Sequence, residues 1–229
     1  MTNQSQQLNT LRALAAIYVV LHHLFRHVDG IGLIFSFGQE AVIIFFLLSG
    51  RVISISEKKS RKNASCFYLA RLKRIYPPLI LTLVITLIMY QLNLIKATCS
   101  ISSLLGTLFA MQDLSSLKPG VITDPFLGNA PLWSLSYEIY FYFSYPLIRA
   151  ASEKYKNIAA HLVPSISCVG ISTYLLIPNH FSLVNAYMII WWIGAITYQN
   201  NTKINQSNFY LKTLIVIQVF IGFYIFEKK

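Results

Sequence analysis

The sequence predicts an all-α, polytopic bundle of about seven transmembrane helices, with an interfacial segment between spans three and four. Three observations carry this expectation. Hydrophobic residues make up 55% of the 229-residue chain and charged residues only 12%, about half the charged share of an ordinary soluble domain. The mean hydropathy is +0.54. The apolar residues also gather in runs of roughly the length that crosses a bilayer, joined by short polar stretches. Disorder is excluded by the apolar content. With 10 Gly and 3 Cys, collagen-like and disulfide-scaffold classes are excluded too.

The runs follow in order. The first is Leu11 to Phe25, and the second Ala41 to Ile55. The third is Ile75 to Ile95, with Pro77 and Pro78 expected in its first helical turn, where a missing N–H has no intrahelical partner. The connection Lys96 to Ala130 holds Ile101 to Met111, which is apolar but too short to span and reads as interfacial or re-entrant. The fourth run is Pro131 to Ile148. Weaker runs follow at Ile158 to Ile177, Phe181 to Tyr198 and Phe209 to Phe226. No cleavable signal peptide is evident: the first run carries His22 and His23 and lacks a small-residue cleavage site.

The formal net charge is +11. In a soluble protein that would suggest nucleic acid, but no soluble basic domain is present, and loop charge that orients the helices accounts for it. Lys58, Lys59, Arg61, Lys62, Arg71, Lys73 and Arg74 concentrate around the connection between spans two and three. That asymmetry places the N-terminus and this connection in the cytoplasm. Arg26, Lys96, Lys118 and, against the rule, Lys228 and Lys229 fall outside, and Arg51 lies within the inner half of span two. Cys66, Cys99 and Cys168 are scattered without a CxxC, and no metal site is expected.

An ionisable side chain within a span is costly and is a functional-site hypothesis by default. Four places qualify. Arg12 and His23 are eleven residues apart, so they share one helix face about 16 Å apart along the axis, while His22 points about 100° away. An imidazole suits general-base work near neutral pH; a histidine satisfied at the outer interface is the alternative. In Phe45-Phe46-Leu47-Leu48-Ser49-Gly50, the small Ser49 and Gly50 also suit close helix packing. Arg71 and Arg74 share a face at the cytoplasmic mouth, where arginine suits phosphate or serves orientation alone. Glu138 stands with Ser134 and Tyr142 in a polar stripe at four-residue spacing. It requires a cation, hydrogen-bond donors or a proton; Arg12, His22 and His23 are candidate partners.

The order Leu8-Asn9-Thr10-Leu11-Arg12, His22-His23, Phe45 to Gly50, Arg71-Leu72-Lys73-Arg74 and Leu132-Trp133-Ser134-Leu135-Ser136-Tyr137-Glu138 resembles the membrane-bound acyltransferase-3 family. That family includes bacterial O-antigen and exopolysaccharide O-acetyltransferases. The resemblance covers about Leu8 to Pro146. It matches Arg12 and His23 to the family's arginine–histidine motif, Arg71 and Arg74 to its paired arginines, and Glu138 to the glutamate of its Trp-Ser-Leu segment. Ser49 and Gly50 match its Phe-Phe-x-x-Ser-Gly segment. Two departures are Arg51, where the family has an apolar or aromatic residue, and Ile43-Ile44, where it often has an acid, which leaves Glu40 the nearby acid.

The resemblance implies an O-acyltransferase of the bacterial inner membrane that moves an acyl group, expected to be acetyl, from acyl-CoA to a hydroxyl of a cell-surface glycan. Its implied partners are acyl-CoA, the glycan acceptor and the bilayer, with no nucleic acid and no metal. The expected catalytic residues are His23 and Glu138. Arg12, Arg71 and Arg74 are expected at the acetyl-CoA, with His22, Ser49, Gly50, Trp133 and Ser134 in substrate contact or packing. Residues 1–229 are expected to form a single acyltransferase-like transmembrane domain, incomplete at its C-terminus because family members usually continue through more spans. Two rivals remain at this point: a transporter with a buried His/Glu/Arg relay, and a truncated inactive remnant of the family.

Overall fold

The computed structural model describes residues 3–26, 28–60, 63–155 and 158–199. Among them are seven α-helices: α1 (Asn3–Phe25), α2 (Gly38–Ser60), α3 (Ala64–Gln91), α4 (Ile101–Leu108), α5 (Trp133–Lys154), α6 (Ile158–Leu176) and α7 (His180–Gln199). Two 3₁₀ turns, Phe126–Gly128 and Ala130–Leu132, lead into α5. The described residues form no strand, only an isolated bridge between Gln112 and Thr123. The all-α class is therefore observed. Three helical stretches, Gln6–Phe25, Gly38–Glu57 and Ala64–Gln91, are long and apolar enough to cross a membrane. His161–Leu176 and His180–Ile196 are apolar but shorter. The expected run Phe209 to Phe226 lies outside the described residues.

The chain divides into two compact units, one of residues 1–60, 160–172 and 185–229, the other of residues 61–159 and 173–184. In the first, α1 packs along α2. Leu8, Leu48 and Ile55 are buried together, with Val52 against them. Phe35, in the α1–α2 connection, packs its ring on those of Tyr18 and Phe25. The opposite side of α1 exposes Leu11, Leu14, Ile17, Val20 and Leu24, an apolar stripe that suits lipid better than water. Within the same unit, α2 and α7 cross closely. A Cβ on Gly50 would overlap the Trp191 carbonyl, and one on Gly194 would overlap the Leu47 carbonyl. Only glycine lets two backbones approach this near.

In the second unit, Leu79 and Leu83 of α3 are buried with Phe126 and Leu127, and Leu104, Leu108 and Leu135 pack around them. The sequence expectation for α3 needs correction. Pro77 and Pro78 lie inside the helix and not in its first turn. The helix starts at Ala64 because no breaker stands between Ala64 and Tyr76. The prolines remove two intrahelical bonds. The α4 segment, eight residues long, is about 12 Å of helix and does not span. The Phe126 N–H donates to Thr107 Oγ1 at 2.9 Å, and the Tyr76 hydroxyl donates to the Leu108 carbonyl at 2.9 Å. These bonds tie the connection to the helices, so it is ordered without being a span.

Candidate active site

The first unit carries Arg12, His22, His23, Ser49 and Gly50. Both Arg12 and His23 lie in α1, which runs unbroken from one to the other, so the shared-face expectation applies to a continuous helix. Arg12 is buried, and its guanidinium carbon lies 4.8 Å from the centroid of the Phe45 ring. An arginine stacked on an aromatic face keeps its planar fork oriented. His23 is partly exposed and meets the ring of His22 edge-on at 5.1 Å.

His22 has a well-defined setting. Its Nδ1 is hydrogen-bonded to the Phe35 carbonyl. A carbonyl only accepts, so Nδ1 carries the proton, and in the neutral ring Nε2 holds the lone pair. The imidazole also lies against Gly38 so closely that a Cβ there would overlap it. His22 therefore fastens the end of α1 to the start of α2. Ser49 is fully buried, and Gly50 sits at the α2–α7 crossing.

The second unit carries Arg71, Arg74, Trp133, Ser134 and Glu138. It joins Arg71 to Glu138 through one tyrosine. The Arg71 guanidinium carbon lies 5.1 Å from the Phe67 ring centroid and 5.5 Å from that of Tyr142. The Tyr142 hydroxyl donates to Glu138 Oε1. Both Tyr142 and Glu138 are buried. The four-residue spacing thus does what it requires physically: it puts a donor one turn from a buried carboxylate. Arg74 is exposed one turn further along α3. Ser134 is partly buried and Trp133 buried, at the start of α5.

A further polar group stands at that same start. Asp113 and Lys118 form a buried ion pair, Nζ to Oδ1 2.8 Å, with side-chain exposures of 0% and 5%. Sequence spacing does not single this pair out. The two residues sit in an irregular connection with no helical period, and Lys118 counts there only as a charge outside the spans.

Ionisable side chains buried along apolar helices define the class: a helical membrane protein with polar chemistry set into its helices. The family follows from comparison. The profile described as an acyltransferase domain matches residues 5–226, nearly the whole chain. The chain belongs to the acyltransferase-3 family. No curated protein and no solved structure matches it.

Proposed function

We propose that this protein is an inner-membrane O-acyltransferase that moves an acetyl group from acetyl-CoA to a hydroxyl of a cell-surface glycan. The observation that carries the reading is the Arg71–Tyr142–Glu138 chain inside a member of an acyltransferase family. A guanidinium placed on aromatic faces, with a carboxylate beyond the tyrosine, is a preorganised receptor for phosphate oxygens. In this reading Arg71 and Arg74 take the phosphates of the donor from the cytoplasmic face, and Arg12 is an anion-binding group on its own helix. Glu138 holds Tyr142 and offsets the charge of Arg71.

His23 acts as general base. It takes the proton of the acceptor hydroxyl as that oxygen attacks the thioester carbonyl, and the CoA thiolate leaves. No metal is invoked, and the helix faces take up lipid. The N-terminus lies in the cytoplasm, as the basic residues require.

The test is glycan O-acetyl content and acetyl-CoA consumption in cells and membranes carrying the parent chain, Arg71→Ala or an empty vector. Acetyl transfer that needs Arg71 is the expected result. Proton or ion flux without acetyl-CoA consumption would favour the transporter reading. A silent parent in well-populated membranes would favour the inactive remnant.

A further inference from the structure

The connection between α4 and α5 holds charge that the proposed chemistry does not use. Asp113 Oδ1 accepts from Lys118 Nζ at 2.8 Å and from the Leu114 N–H at 2.8 Å. Its Oδ2 accepts from the Tyr137 hydroxyl. Lys118 Nζ lies 3.5 Å from the centroid of the Trp133 ring and 3.4 Å from the Tyr137 oxygen. Trp133 and Tyr137 are one turn apart at the start of α5, with their rings edge-on at 5.4 Å. The same connection is pinned to the residue just before the helix: Gln112 Nε2 donates to the Leu132 carbonyl at 2.8 Å, and the Asp113 N–H donates to the Thr123 carbonyl at 2.9 Å.

A buried ion pair is a weak stability device, because apolar residues of similar volume often serve as well. Among the described residues, the side-chain hydrogen bonds and ring contacts that the pair makes beyond its own connection fall on Trp133 and Tyr137, and Glu138 is the next residue. We infer that Asp113 and Lys118 are positioning residues for Glu138: their hydrogen-bonded side chains grip Trp133 and Tyr137 and fix the rotation of α5. That rotation sets Tyr142 over Arg71 of α3. The inference rests on the role proposed above for Glu138 and adds the device that holds it.

The grip has a pH signature. Burial pushes the Lys118 amine down to about 8 from 10.5, while Asp113 pulls it back up. Among the described residues, the other titratable groups around the pair are Tyr137 of α5, His180 at the start of α7, which meets the Tyr137 ring at 6.2 Å, and Tyr174 of α6, whose hydroxyl donates to the Pro119 carbonyl at 3.3 Å. Opening that wets Lys118 returns the amine to its ordinary value, so the open state binds more protons between the two values. Closure therefore strengthens as pH rises from 8 toward 10.5, and the gain is lost as pH falls through 8.

The experiment is hydrogen exchange on the full chain in lipid nanodiscs at pH 7 and 9, corrected for the intrinsic pH dependence of exchange. The expected result for the parent is about tenfold more protection at pH 9 over residues 133–142, with no such rise in α1. Lys118→Arg and Lys118→Met should lose the pH dependence, because neither side chain titrates in this range. Asp113→Asn, which removes the counter-charge, should show its rise at lower pH than the parent, and it carries the comparison if Lys118→Met does not insert. A flat parent, or an unchanged pH rise in Lys118→Met, overturns the inference. Parent-level acetyl transfer by Glu138→Gln would overturn the Glu138 reading instead, and is scored separately from exchange.

Discussion

At the scale of single residues, the two adjacent histidines have different settings. His22 spends its Nδ1–H on the Phe35 carbonyl and its ring face on Gly38. His23 shares the helix face of Arg12, on which the family's motif also falls. Loss of a positioned acid–base group costs about 10²–10⁴-fold in rate. His23→Ala should therefore lose nearly all acetyl transfer at normal membrane abundance, whereas His22→Ala should mainly lower heat tolerance. Paired measurement of membrane protein level and O-acetyl content decides this. Abolition by His22→Ala alone would reassign the base to His22 Nε2. Tyr142→Phe is a second residue-scale test. It keeps the ring over Arg71 and removes the donor to Glu138, leaving a buried carboxylate short of one bond. That costs about 1–3 kcal/mol, seen as a lower unfolding temperature and weaker acetyl-CoA use. An unaltered KM for acetyl-CoA would separate Glu138 from donor binding.

At the scale of elements, hydropathy made most helices legible in advance. The apolar runs of α6 and α7 match their helices almost to the residue and that of α2 within about five, whereas α1 begins at Asn3, well before its run, because its first turns are polar. The start of α3 was not legible. Proline usually marks a helix boundary, yet here Pro77 and Pro78 are carried inside a 28-residue helix. The candidate site was legible only in part: the four-residue period of Ser134, Glu138 and Tyr142 showed a polar stripe, but the sequence offered Arg12, His22 and His23 as partners for Glu138, not the Tyr142 hydroxyl that donates to it. The Asp113–Lys118 pair was not legible, since it is made by the folding of an irregular connection. The α2–α7 crossing supplies the element-scale prediction. Gly50→Ala or Gly194→Ala places a methyl into a facing backbone carbonyl, and backbone cannot move aside as a flexible side chain can. Each variant should cut membrane abundance severely, beyond the ~1–3 kcal/mol usual for overpacking. Normal abundance and melting of Gly194→Ala would show that the two helices do not cross here.

At the scale of the whole molecule, what remains is which side of the membrane each residue serves, and the charge distribution argues one answer. Lys58, Lys59, Arg61, Lys62, Arg71, Lys73 and Arg74 surround the α2–α3 connection. Moving so many cations across a bilayer during insertion is unfavourable, so short basic connections stay in the cytoplasm. Acetyl-CoA is a cytoplasmic donor, and Arg71 and Arg74 lie in the stretch of α3 just past that connection. The proposed orientation and the proposed donor site therefore stand or fall together. A single cysteine placed at Ser60, with Cys66, Cys99 and Cys168 replaced by serine, should resist a membrane-impermeant maleimide in intact cells and react once the cells are opened. A cysteine at Ser115, in the connection before α5, should show the reverse pattern. Ready labelling at position 60 from outside would turn the chain over and carry the proposed donor site to the wrong side, leaving the arginines without their phosphates.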